Sequence, residues 1–229
     1  MRPSRRRFDR NSQFAYDTWT MSRIPPDSGP NVASGLDRLW RQLAAEDPET
    51  LCDRSGVDFR DGRYVVPFLD REYLVELDGC RVSGPAGDGL AEDPEFRLLV
   101  LGYLTHARGG RPSGTWVSER QLPGGSLFFQ GPHALPLTPL VRRFGRDGES
   151  FRQICVRLGG KPLDFGDVGF TFRALPLVPL AVILWVADEE FPARAGMLFD
   201  PTVPDHLPLD LVLALVHAAV ARFEAAASD

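Results

Sequence analysis

Two apolar runs joined by a proline-bracketed turn constrain this chain more than any other feature. The first runs from Gly169 to Leu175 and the second from Leu180 to Ala187, with Pro176-Leu177-Val178-Pro179 between them. In the first run Phe170, Phe172 and Ala174 alternate with Thr171 and Arg173, the two-residue period of a strand buried on one face. In the second, Val182 to Val186 is continuously apolar, as a central strand covered on both faces requires. Together they predict an antiparallel hairpin. An acidic cluster stands at each free end: Asp164-Phe165-Gly166-Asp167 and Asp188-Glu189-Glu190. If Leu175 pairs with Leu180, Asp167 faces Asp188. Like charges directly opposed on a sheet cost up to ~1 kcal/mol. A metal ion, an arginine or a shared proton would have to offset that cost. Asp164, Asp167, Asp188, Glu189 and Glu190 are therefore candidate residues for a hard-cation site or an acid–base pair. The plainer expectation is solvated loop ends, caps and arginine partners.

The remaining elements follow from periodicity and caps. Leu36, Leu39, Trp40 and Leu43 make one helical face, and Asp47-Pro48 restarts a short helix that Gly56 closes. Tyr64–Phe68 and Tyr73–Leu77 flank Asp70-Arg71 as a hairpin, with Asp78-Gly79 turning into a third strand at Cys80-Arg81-Val82. Asp93-Pro94 opens a helix carrying Phe96, Leu99, Val100, Tyr103 and Leu104. Leu127-Phe128-Phe129 reads as a strand. Thr138-Pro139 starts a helix ending at Gly145, and Phe151, Ile154, Cys155 and Leu158 define the next. Gly196–Phe199 is a strand, and a helix from about Pro208 carries Leu209, Val212, Leu213, Val216, Val220 and Phe223. The expectation is an α+β fold, with a mainly antiparallel sheet and helices packed against it, in a single domain over residues 35–229. Residues 1–34 read as a basic, proline-rich, disordered tail, with Met21 a second initiation point.

Composition narrows function by exclusion. A net charge of −5 argues against nucleic acid, which needs a clustered basic face. Of the 26 cationic residues all but Lys161 are arginine, so any Schiff-base or phosphate-binding lysine would have to be Lys161. Cys52, Cys80 and Cys155 form no C-x-x-C pair and fit free thiols in a reducing, cytoplasmic compartment. Cys52 and Cys155 fall on apolar helix faces as small core hydrophobes, and Trp116 and Trp185 read as core. No apolar run has the ~20 residues of a membrane span. No intrinsic iron–sulfur, pyridoxal phosphate or P-loop nucleotide site is expected. Asp164-Phe165-Gly166 spells a kinase triplet, but the glycine-rich loop and His-Arg-Asp loop are missing. Gly160-Lys161 is followed by Pro162 where a P-loop needs Ser or Thr. Gly124 and Gly125 can offer backbone amides to an anion, although a plain turn is the simpler reading. Among the histidines, His106 and His217 face solvent, and His206, near Asp200 and Asp205, joins Asp167 and Asp188 as a metal candidate.

One long string is similar to a known family. It comprises Gly159-Gly160-Lys161-Pro162-Leu163-Asp164-Phe165-Gly166-Asp167, Phe170 to Pro176, Val178 to Val182, Asp188-Glu189-Glu190-Phe191-Pro192, Leu198-Phe199-Asp200 and His206-Leu207-Pro208, with Trp116 and Leu122-Pro123-Gly124-Gly125 upstream. It resembles the bacterial and archaeal domain of unknown function family 3786 (DUF3786), over roughly Leu36 to Phe223. That family carries no assigned activity. The resemblance implies an association with anaerobes and with fusions to iron–sulfur modules of the kind seen in corrinoid proteins. The expected function is therefore a ligand- or partner-binding accessory domain in anaerobic cofactor or metalloprotein metabolism, its partner a metalloprotein or small ligand. The alternative is a metal-assisted hydrolase or acid–base enzyme using the Asp164/Asp167/Asp188/Glu189/Glu190 carboxylates.

Overall fold

The structure, a computed structural model, describes residues 30–87 and 89–228. It is α+β, with two antiparallel sheets and helices packed on them. Helix α1 (Pro30–Ala45) buries Leu36, Leu39, Trp40 and Leu43 on one face, and it starts at Pro30, inside the stretch predicted as tail. The expectation for residues 1–29 lies outside the described residues. Helix α2 (Pro48–Ser55) begins where Asp47 accepts the Thr50 amide at 3.0 Å and ends at Gly56, whose φ of 70° suits a residue without Cβ.

The first sheet is a meander of β1 (Asp58–Arg60), β2 (Arg63–Phe68), β3 (Arg71–Glu76) and β4 (Arg81–Ser83), hydrogen-bonded in chain order. Helix α3 (Pro94–His106) is capped by Asp93, as its Asp-Pro start predicts. The second sheet contains β5 (Val117–Ser118), β6 (Lys161–Leu163), β7 (Val168–Leu175), β8 (Val178–Trp185) and β9 (Arg194–Phe199), in the order β5-β9-β8-β7-β6. The continuously apolar β8 is its central strand. Helices α4 (Gly125–Phe128), α5 (Thr138–Phe144), α6 (Gly148–Arg157) and α7 (Leu209–Ala226) complete the chain. Leu127-Phe128-Phe129, predicted as strand, instead enters the single turn of α4 and leaves Leu127 82% exposed. Helix α7 packs on α3, α5 and α6, and its Phe223 ring meets Phe151 and Phe172 at 5.8 and 5.4 Å. One contiguous apolar core runs through both sheets and the helices. Among the described residues no helix is long and apolar enough to cross a membrane.

The predicted hairpin forms, but in another register. Phe172, not Leu175, pairs with Leu180, a shift of three residues. The turn is only Pro176-Leu177, closed by the Leu175–Val178 pair, and Pro179 lies within β8 opposite Arg173. Proline has no N–H to give the ladder. The register slips between Arg173 and Leu175, and the bulged Ala174 turns its carbonyl to the Leu69 amide at 3.1 Å. That bond ties the β2–β3 turn to the second sheet. Two more contacts lock the joint. Asp70, in the same turn, receives the Arg222 guanidinium of α7 as a two-pronged fork at 3.0 and 2.7 Å. The buried Tyr103 hydroxyl donates to Ser55 O and accepts the Leu177 amide at 3.1 Å.

Candidate functional site

The β6–β7 and β8–β9 connections meet at one end of the second sheet and carry both acidic clusters. Asp167 lies beside the end of β8: its amide donates to Leu184 O at 3.1 Å, and its Oδ2 accepts the Val186 amide at 2.8 Å. Gly166, at φ 66°, lets this loop lie flat on β8, because a Cβ there would stand 2.5 Å from Ile183 Cγ2 and 3.0 Å from Leu184 O. Asp188 closes its own turn. Its Oδ1 accepts the Glu190 and Phe191 amides at 2.8 and 2.7 Å, and its amide donates to Phe191 O. Those two amides, Phe191's first, hold its carboxyl below the usual carboxylate range. The Ala187 amide pins the base of the loop to Gly145 O at 2.9 Å.

The predicted facing pair is therefore not made. Register sets Asp167 against Leu184 and Val186, while Asp188 sits beyond the strand in a turn. Each carboxylate is occupied by backbone amides, so the offset expected from a metal, a proton or an arginine is not needed. Among the described residues no group of three or more His, Cys, Asp or Glu side chains can hold a metal ion. The metal candidates Asp167, Asp188 and His206 do not come together as one.

What this end of the sheet does present is aromatic. Phe165 and Phe191 are 48% and 66% exposed. Trp185 is part-exposed rather than core, and its ring lies under the Arg194 guanidinium at 4.2 Å. Asp164, Glu189 and Glu190, the chain neighbours of Phe165 and Phe191, are exposed carboxylates. The rim is thus apolar patches in an acidic surround.

The glycine pair is structural. The Gly125 amide is already donated to Leu122 O at 2.8 Å, and a Cβ at Gly125 would lie 1.9 Å from Glu119 O. Gly124, at φ 77°, supplies the left-handed residue before α4. Of the two amides expected to face an anion, that of Gly125 is taken by Leu122 O. His206 is 1% exposed, and its Nδ1 has no hydrogen-bond partner. Burial pushes its imidazole below the ordinary value, with Asp205 and Asp200 pulling the other way.

Asp200 is the carboxylate that sequence reading undervalued. It is fully buried and accepts five hydrogen bonds: from the Ser113 amide and hydroxyl, the Gly114 amide, and the Thr202 amide and hydroxyl, at 2.7–3.1 Å. Burial pushes its carboxyl up, but those donors outweigh it and the group lies below the usual carboxylate range. The local Asp200-Pro201-Thr202 spelling signals an Asx turn. The Ser113-Gly114 half is remote in sequence and gives no such signal. Cys155 is buried, as predicted, whereas Cys52 is only half-buried at the core's edge.

The model of the domain of unknown function DUF3786 matches residues 47–222. The chain belongs to the DUF3786 family. The match spans α2 through Arg222, and so includes both sheets, the acidic loops and the Asp70–Arg222 fork between the first sheet and α7. No curated protein and no solved structure matches this DUF3786 chain.

Proposed function

We propose that this DUF3786 domain is a non-catalytic binding module whose acidic–aromatic rim docks a basic, apolar segment of a protein partner. One observation carries the reading. At the rim the carboxylates with fixed positions, Asp167 and Asp188, are spent on backbone amides, while Phe165 and Phe191 stand exposed next in the chain to Asp164 and Glu190, which have no such duty. Exposed aromatics on fixed loops are the usual anchors of an interface. Asp164, Glu189 and Glu190 around them select a partner of positive charge. The family resemblance implies an association with anaerobes and with fusions to iron–sulfur modules of the kind seen in corrinoid proteins, and it supports a cofactor- or metal-bearing protein as that partner.

The test is photocrosslinking from position 191 in the native host, followed by titration of the purified trapped protein against the wild type. Phe165→Ser/Phe191→Ser should weaken binding at least tenfold, since interface anchors are worth ~2 kcal/mol or more each. Glu189→Gln/Glu190→Gln should slow association and flatten its salt dependence. Circular dichroism should not change. If the double serine variant binds as tightly as the wild type, the rim is not the interface. Thermal melting with magnesium, manganese, calcium or zinc should show no shift. A shift abolished by Asp167→Asn would instead favour metal chemistry.

A further inference from the structure

The acidic rim has a neighbour of opposite charge. The base of the β8–β9 loop packs on the end of α5: the Ala187 amide donates to Gly145 O, and a Cβ on Gly145 would stand 2.6 Å from Ala193 Cβ. Along that seam runs a groove of about 360 Å³, lined by Arg142, Arg143 and Arg146 together with Val141, Pro192 and Ala193, among others. The carboxylate in its lining, Asp147, is spent on the start of α6, where it accepts the Ser150 amide and hydroxyl at 2.9 and 2.6 Å. Arg142 has a loose pair with Glu224 at 3.5 Å and is itself 76% exposed. Arg143 gives one N–H to Ala227 O at 3.3 Å. Arg146 is exposed, and among the described residues it makes no ion pair. A helix C-terminus favours cations, so α5 explains why arginines stand here. It does not supply their counter-charge.

The loop that walls the groove carries that charge at its tip. Glu189 and Glu190 are exposed there, and among the described residues neither forms an ion pair. Asp188 fixes the tip by accepting the Glu190 and Phe191 amides, and Phe191 stands 66% exposed beside them. A tip held in this way does not fold back into the groove whose wall it forms. It can enter the groove of another molecule. Arginines between apolar walls are also the surface chemistry that the rim selects.

Loop and groove lie on one face, because Ala187, Pro192 and Ala193 belong to both. A two-fold axis through such a face lets each copy's loop enter the other's groove, and the contact closes at two copies. We propose that the free protein pairs with a second copy of itself across this face, with Glu189, Glu190 and Phe191 of each copy seated against Arg142, Arg143 and Arg146 of the other. The inference rests on the rim being a docking face, as proposed above, and adds that the protein's own groove is one occupant. A partner that takes the rim must then open the pair.

Sedimentation equilibrium of the full chain tests this by exchanging charges. The wild type should show monomer and dimer, with salt favouring the monomer. Glu189→Arg/Glu190→Arg sets a cationic loop against a cationic groove, and Arg143→Glu/Arg146→Glu sets an anionic loop against an anionic groove. Each should raise the dimer dissociation constant at least tenfold. An equimolar mixture of the two should dimerise again, because both loop–groove contacts then join opposite charges. All four side chains are exposed, so each variant should melt as the wild type does. In the purified wild-type background, photocrosslinking from position 191 should join residues 141–147 of a second copy. A wild type that stays monomeric, a mixture that stays monomeric while the wild type dimerises, or crosslinks that land elsewhere overturn the proposal. A monomeric wild type whose Phe165→Ser/Phe191→Ser variant still loses the trapped partner would leave the partner reading standing alone. Restored dimers beside unchanged partner binding by that variant would sink the partner reading alone.

Discussion

The Asp70–Arg222 fork should respond asymmetrically to mutation. Arg222 is 5% exposed and Asp70 21% exposed, and the two are joined by hydrogen bonds of 3.0 and 2.7 Å. Arg222 Nη1 already lacks a partner. Asp70→Asn would leave a buried guanidinium with no counter-charge, which costs about 3–5 kcal/mol. Arg222→Met would leave Asp70 at a part-exposed turn, where water reaches it and Arg71 Nε stands 4.0 Å away. That change should cost only about 1–2 kcal/mol, the cost of an imperfectly satisfied polar group. The double variant Asp70→Asn/Arg222→Met should be no worse than Arg222→Met alone, because the stranded charge is gone. Urea unfolding followed by tryptophan fluorescence, compared at constant m-value, measures all three. Equal costs for the two single variants, or additive costs in the double, would refute the claim that the buried arginine governs this pair.

Three further outcomes follow from buried groups and close packing. Asp200→Asn puts an amide donor against five existing donors and should cost about 3 kcal/mol, near the upper end for a lost charged hydrogen bond. Because the folded pKa of Asp200 lies below its unfolded value of about 3.9, its stabilisation is full above that pH and is lost as pH falls through the folded value. Acid-denaturation curves should therefore be shallower below about pH 4 in Asp200→Asn than in the wild type. His206, with its folded pKa depressed, favours the fold while neutral and loses that contribution as pH drops below about 6.5. His206→Gln should flatten stability against pH in that window, as followed by thermal melting. Gly125→Ala drives a methyl to 1.9 Å from a backbone oxygen and should cost about 3 kcal/mol or more. Gly124→Ala carries only left-handed strain of about 1–2 kcal/mol, so paired urea melts should rank Gly125 above Gly124.

The elements that sequence reading located were those specified by short-range rules. Asp47, Asp93 and Gly56 mark helix ends through their own geometry, and each does so in the structure. The alternation of Phe170, Phe172 and Ala174 set the buried face of β7 because side-chain period is a property of the strand alone. The continuous run of β8 set its place at the sheet's centre for the same kind of reason. Leu127-Phe128-Phe129 failed because three apolar residues fit one helical turn as well as one strand. The choice was made by Gly125, which packs against Glu119, a contact no periodicity shows.

The predicted facing of Asp167 and Asp188 failed for a different reason. Both acidic clusters do stand at the free end of the hairpin, yet the facing hung on the length of a turn. Pro176 and Pro179 bracket four residues, and reading both as turn residues made Leu175 face Leu180. In fact only Pro176 and Leu177 turn, and Pro179 is absorbed into β8 where a bulge at Ala174 accommodates its missing amide. An odd shift in register exchanges the faces of a strand, so Asp167 was moved from a carboxylate partner to a backbone one. The consequence is chemical as well as geometric. Opposed carboxylates would have demanded a counter-charge, whereas a carboxylate facing the Val186 amide demands none. What is left over at the rim is then the exposed Phe165 and Phe191, and that is why binding through apolar surface, rather than chemistry through acid groups, is the reading these loops support.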